Sequence, residues 1–278
     1  MLVPLKPAPL EPEPRVSPVP PARQSRPAEG VVALPLRALY FVAALGLLVG
    51  LFYFCAGASG YVWDWSAVLP YWPKFLNGWK MTLAVSAAAL VLSTLLGIAF
   101  ALARRSSFLP LRYFSRLYVE LIRGTPLLVQ LMISFYIVAN GFGVQNRYVV
   151  GVVALALFSG AYISEIIRAG IESVGASQLE SARAIGLTPA QTYRHVIFPQ
   201  AIRQILPPLA GQFALLIKDS SLLSVLGINE FMLAGQEVSS FTYAVFEAYL
   251  PLAVGYLILT LPISLWVQSM ERRHRYES

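Results

Sequence analysis

The chain has 278 residues, of which 57% are hydrophobic and only 13% charged, and a formal net charge of +7. The apolar share is above and the charged share below those of an ordinary soluble domain, so an integral membrane protein is the first expectation. The positive balance does not point to nucleic acid, because the basic residues are not interleaved with aromatics on a soluble face but lie between apolar runs.

Residues 1–29 hold nine prolines and few large apolar side chains, a composition that cannot bury a core. Residues 1–36 are expected to form a disordered cytoplasmic tail. Residues 38–57 are an uncharged apolar run of the length that a hydrocarbon core of roughly 30 Å requires, which predicts a transmembrane helix over 37–57. Ala56 and Ala58 would suit cleavage of a signal peptide, but the run exceeds a usual signal core and stands behind a long tail, which favours an anchor. Cys55, the only cysteine, lies in this run, so no intrachain disulfide is possible; His195 and His274 are too few and too scattered for a metal site. An external linker over 58–76 follows, and Trp63, Trp65, Tyr71 and Trp72 read as an interfacial aromatic belt.

Further apolar runs occupy 81–103, 125–143, 148–163, 201–217 and 243–267, giving six expected spans. In the second, Thr82, Ser86, Ser93 and Gly97 recur at helical spacing as a stripe of small and hydroxyl residues. Such a stripe lets helices approach closely in lipid; it could equally line a polar path. Lysine and arginine concentrate in the tail, in 104–123, in 168–203 and in 272–275, while Lys74, Lys80 and Arg147 fall in the alternate loops. By the positive-inside rule both termini are then cytoplasmic, as six spans require. Glu165 and Arg168, at i and i+3, are expected to form a structural ion pair near the cytoplasmic end of their span.

Residues 173–199 are too polar to span and too well punctuated to be disordered. Ser177 with Glu180 reads as a capping box, and Gly186 stands where a glycine would close that first helix. Thr188, Pro189 and Gln191 repeat the signal for a second helix, and Pro199 marks its expected end. Helices of about eight residues are marginal in water and need a surface to dock on. Leu179, Ala182 and Ile185 give the first an apolar face, and Tyr193, Val196 and Ile197 the second. From pattern alone, the hairpin packs either on its own chain's helix ends or on a partner.

Glu180-Ser181-Ala182, then Gly186, then Val196-Ile197-Phe198-Pro199 resembles the EAA loop of ABC importer permeases, with departures at Ser181, Val196 and Phe198. Gly78-Trp79-Lys80-Met81-Thr82-Leu83, Tyr118-Val119-Glu120-Leu121-Ile122-Arg123-Gly124-Thr125-Pro126, Pro199-Gln200-Ala201 and Leu216-Ile217-Lys218-Asp219-Ser220-Ser221-Leu222 are similar to the polar amino-acid branch of that family. The resemblance implies an all-α type I importer transmembrane domain over 77–272, with a coupling hairpin at 174–199 and a short cytoplasmic tail at 273–278. Members of the branch often have five spans, so the helix over 37–57 is an addition. It further implies a paired permease, identical or related, two ATPase subunits docking on Leu179, Glu180, Ser181, Ala182, Ile185 and Gly186, and an external amino-acid-binding protein. Independently of the resemblance, no lysine is followed by serine or threonine, so the chain has no phosphate-binding Walker loop; ATP and Mg would be held by the partner ATPase.

Lys218 and Asp219 lie about 22 Å along the fifth span from Arg203, in the outer part of the bilayer, where charges usually face a bundle interior or a watery cavity. With Gln212, one heptad before Asp219, they are candidates for the solute pathway; alternatively they pair with different helices or snorkel. A secondary transporter would use Lys218, Asp219 and Glu165 as an ion relay, whereas a scaffold without transport predicts no intramembrane charge. The particular amino acid is not legible.

Overall fold

The computed structural model describes residues 34–58 and 60–275, so nearly all of the expected proline-rich tail and the last residues of the C-terminal tail lie outside the described residues. The chain divides into two compact units, residues 1–62 and 63–278. The first holds one helix, α1 (Leu34–Ala58), with no acidic residue in its first turn and no basic residue in its last. Its stretch Leu39–Ala58 is long and apolar enough to cross a membrane. It is apolar all round, as a helix surrounded by lipid must be.

The second unit is helical throughout its regular structure. A short helix α2 (Trp65–Val68) is capped by Asp64, whose carboxylate accepts the Ala67 N–H at 3.2 Å. Next come α3 (Trp72–Arg104), α4 (Leu109–Gly124), α5 (Leu127–Ile133) with a π-turn at Ser134–Ala139, and α6 (Arg147–Glu172). The hairpin contributes α7 (Ala176–Ala184) and α8 (Pro189–Thr192), which runs through a π-turn at Tyr193–Ile197 into α9 (Phe198–Asp219). A 3₁₀ segment Ser220–Leu226, α10 (Phe231–Thr242) and α11 (Val245–Arg275) complete the bundle.

Five described helices, α1 among them, are long and apolar enough to cross a membrane, or six if α4 and α5 count as one broken span. Those two meet at 113°. The break is local chemistry: Thr125, forced extended by the proline that follows, has ψ 149°, and Pro126 is itself extended. The run expected to span over 125–143 is therefore a helix over Leu127–Ala139, roughly 20 Å long at 1.5 Å per residue and shorter than a bilayer core. Of the aromatic stretch before the second span, Trp65 opens α2 and Trp72 opens α3, while Trp63, just ahead of α2, stacks on Trp65 and Phe246 with ring centroids 6.3 and 5.5 Å apart.

The centre of this unit is the parallel packing of α3 on α6, in which Gly160 faces Ser93 and Leu96, Ile163 faces Gly97 and Glu165 pairs with Arg104. Thr82, Ser86 and Ser93 are buried, and a Cβ at Gly97 would collide with the Ile163 side chain of α6. The stripe of small residues is thus a packing seam, as close approach of helices in lipid demands. Val85, Ala89, Leu155, Leu216 and Leu223 form the main core, to which α5 adds Leu127 and Leu131. A second core gathers Phe75, Phe231, Val238, Ala248 and Leu252, with Phe75 edge-on to Phe231 at 6.3 Å.

Candidate functional site

The hairpin between α6 and α9 is built by backbone geometry. At the end of α7, Gly186 takes φ +79°, its N–H donates to the Arg183 carbonyl at 3.0 Å, and the Leu187 N–H donates to the Ala182 carbonyl at 3.1 Å. This is the paired 5→2 and 6→1 closure that requires a left-handed residue. Two residues on, Thr188 and Gln191 form the expected reciprocal capping box: the Gln191 N–H donates to Thr188 Oγ1 at 3.3 Å, and the Thr188 N–H to Gln191 Oε1 at 2.9 Å.

Two expectations fail here. The Ser177–Glu180 capping box is absent, because α7 starts earlier: Gly175 takes the extended cap conformation beside buried Val174, which places Ser177 inside the first turn. Pro199 ends no helix either. The π-turn at Tyr193–Ile197 widens the backbone just before it, so the second hairpin helix continues into α9 and the helix runs unbroken over Pro189–Leu226. Ala182 is buried against the chain's own hairpin and Leu179 is half-buried, but Ile185 is 76% exposed, and Tyr193 and Phe198 are exposed nearby. Glu180, Ser181 and Gly186 are exposed as well.

At the other end of α9, the candidate pathway residues point apart, as adjacent helical positions must. Gln212 is buried and its Nε2 donates to Ser159 Oγ of α6 at 3.4 Å. Asp219 is half-buried, whereas Lys218 is exposed in line with Leu215 and Pro208 on a face of α9 that its own chain leaves uncovered. Lys218 and Asp219 form no ion pair with each other.

Glu165 and Arg168 are paired as expected, but within a larger network. Glu165 Oε2 accepts Arg104 Nη1 of α3 at 3.0 Å, and Arg123 of α4 lies 3.9 Å from Oε1 and 5.3 Å over the Tyr162 ring. Arg168 also bonds Glu172. One carboxylate therefore ties three helices together near the hairpin end.

Residues 93–276 match the binding-protein-dependent transport system inner membrane component family. The chain belongs to that family. A curated relative described as a probable glutamine ABC transporter permease protein, GlnM of Bacillus subtilis, is 40% identical over 72% of this chain and 92% of its own. The glutamine transport system permease protein GlnP of Escherichia coli is 36% identical over 76% of this chain and 97% of its own. Among solved structures, a crystal structure of an amino acid ABC transporter with histidines has 40% identity and a TM-score of 0.72, covering 77% of this chain and all of that one.

The matched part of this inner membrane component contains the hairpin and the charged end of α9, while α1 and the tail precede it. It also contains a buried centre that the sequence reading missed. Glu230, fully buried, caps α10 by accepting the Met232 and Leu233 N–H groups at 2.9 and 2.8 Å, and it accepts Tyr256 Oη at 2.9 Å and Thr82 Oγ1 at 3.3 Å. Burial pushes its carboxyl above the usual range, against hydrogen bonds that favour the charged form. The available signal was Phe231, Ala234 and Val238 at helical spacing after an acidic cap. Arg104 and Arg123 escaped because their pairing with Glu165 joins helices far apart in sequence.

Proposed function

We propose that this chain is the membrane-spanning permease subunit of an ATP-binding-cassette importer that carries polar amino acids inward across a bacterial plasma membrane. The observation that carries the reading is the hairpin: two capped helix ends displaying Ile185, Tyr193 and Phe198 to the outside. Large apolar side chains left exposed on a capped hairpin suit docking of another protein. Two ATPase subunits are the partners that fit, since this chain has no phosphate loop and its relatives are named as ABC transporter permeases. In that assembly ATP and Mg belong to the ATPase subunits. The hairpin then faces the cytoplasm, as do both termini, and the ends of α3 and α9 nearest Trp72 and Asp219 face outward.

A lysine on a lipid-facing surface is costly, so the uncovered face of α9 bearing Lys218 suits a second permease, identical or related, with a hydrated path between the two. There Lys218 and Asp219 could meet the carboxylate and ammonium of a zwitterion. An external binding protein would deliver the solute. Substrate names among the relatives include glutamine, glutamate with aspartate, and arginine, which supports the polar amino-acid class. An ion relay gains no support: Glu165 is held among arginines at the hairpin end, distant from Asp219 along the bundle.

The test is reconstitution of the purified components in vesicles. Uptake of a polar amino acid should require the ATPase and the binding protein, and this chain alone should show no hydrolysis above background. Uptake driven by an ion gradient without the ATPase refutes the reading. In the same vesicles, Lys218→Gln and Asp219→Asn should shift rates among acidic, neutral and basic amino acids; parent-like selectivity in both removes them from the path.

A further inference from the structure

The loop joining α3 to α4 carries a concentration of positive charge that the transport reading leaves without a role. Arg104 and Arg105 at the end of α3, Arg112 and Arg116 on α4 and Arg168 on α6 line one open cavity of about 380 Å³, together with Tyr113 and a single carboxylate, Glu172. Arg104 and Arg168 are partnered with Glu165, and Arg168 also with Glu172. Arg116 Nε donates to Glu120 at 2.8 Å. The other two are not neutralised. Arg112 donates from Nε and Nη2 to the Ser106 carbonyl at 3.0 and 2.7 Å, contacts that fix the guanidinium but leave its charge intact and its Nη1 group available. The exposed side chain of Arg105 has no hydrogen-bond or ion-pair partner among the described residues.

The surroundings of these charges are apolar. One face of α4 is fixed to the bundle: Ser115 Oγ donates to the Phe100 carbonyl at 2.8 Å, Tyr118 stacks on Phe100 at 3.9 Å, and Val119 is buried. The rest of its length exposes Leu109, Leu111, Phe114, Leu117 and Leu121. A helix with guanidinium groups beside a broad uncovered apolar surface has the composition of one lying at a membrane interface, its charges at headgroup level. A free phosphate would satisfy the arginines and leave the leucines in water. An anionic phospholipid satisfies both.

We infer that this cavity holds the phosphate headgroup of an anionic phospholipid, with Arg105 and Arg112 as its guanidinium donors and the acyl chains along the exposed apolar face of α4. Guanidinium suits the task because its planar fork meets phosphate oxygens two at a time. The assignment goes beyond import and does not depend on it. Only the leaflet, the cytoplasmic one, rests on the proposed orientation, so the test reads binding rather than uptake.

The purified full chain in non-ionic detergent is titrated with phosphatidylglycerol or phosphatidylcholine, and retained lipid is measured by native mass spectrometry. Phosphatidylglycerol should bind at least about 25-fold more tightly, and inorganic phosphate at several millimolar should not displace it. The double variant Arg105→Gln with Arg112→Gln should reduce that preference by roughly 25-fold, at about fivefold per arginine. Arg105→Lys with Arg112→Lys should keep part of it, because the charge remains and the fork is lost. Equal retention of the two lipids by the parent overturns the inference, even if the variants do not fold. Full retention of phosphatidylglycerol by the glutamine variant also overturns it, and displacement by inorganic phosphate would reassign the cavity to a free anion.

Discussion

Replacement of Gly186 probes the hairpin turn, because a Cβ there meets no atom of this chain within 4 Å and any effect on the hairpin's own fold comes through the backbone. At φ +79° alanine costs about 1 to 2 kcal/mol, a β-branched residue reaches the upper end of the roughly 1 to 3 kcal/mol range, and asparagine, which visits this region more readily, costs less. The turn is held by two backbone bonds, Gly186 to Arg183 and Leu187 to Ala182, each worth about 1 kcal/mol net. Strain at Gly186→Val thus matches the energy that keeps the turn closed, and the open form becomes a major population. Uptake should fall in the order Asn, Ala, Val, with Gly186→Asn close to the parent and Gly186→Val more than tenfold lower. The bundle's thermal midpoint in detergent should move little, since the turn lies outside the buried core. ATPase co-purification and vesicle uptake are the assays. Parent-like uptake by Gly186→Val, or equal damage from Asn and Val, refutes a backbone role.

Gly97→Leu should overpack the α3–α6 seam against Ile163, at a cost of about 1 to 3 kcal/mol, and lower the thermal midpoint by size-exclusion stability assay; Ile163→Ala in the same chain should restore part of the loss, and no restoration would argue against direct contact. Glu230 has its carboxyl pKa raised by burial, so the folded state holds the proton more tightly than the unfolded chain, and stability falls as pH rises from about 4.3 through the folded value. The parent's stability advantage over Glu230→Gln should therefore shrink with rising pH, and a gap constant between pH 4 and 8 would contradict the assignment.

Legibility followed the range of the forces involved. Caps are local, so Thr188-Pro189 with Gln191 and the glycine at 186 were readable three or four residues at a time. The same local rule misplaced the start of α7, because burial of Val174, a tertiary fact, moved the cap to Gly175. Hydropathy located the apolar runs but not the elbow at Pro126, which joins the run expected over 125–143 to a further helix, α4, in the basic stretch before it. The small-residue stripe of α3 gave the packing face without naming Ile163 as its partner. The Glu230 centre draws on α3, α10 and α11, and no sequence window contains all three.

The unbroken helix from Pro189 to Leu226 makes the hairpin and the charged end of α9 parts of one mechanical member. A shaft of 38 residues transmits torsion along its length, but bending gathers where the helix is weakest. Successive prolines at 207 and 208 remove two amide donors, and they stand about 28 Å from the hairpin end. Under a push at Thr188 the weak points are the π-turn at Tyr193–Ile197 and this proline pair, and Gln212, Lys218 and Asp219 lie beyond both.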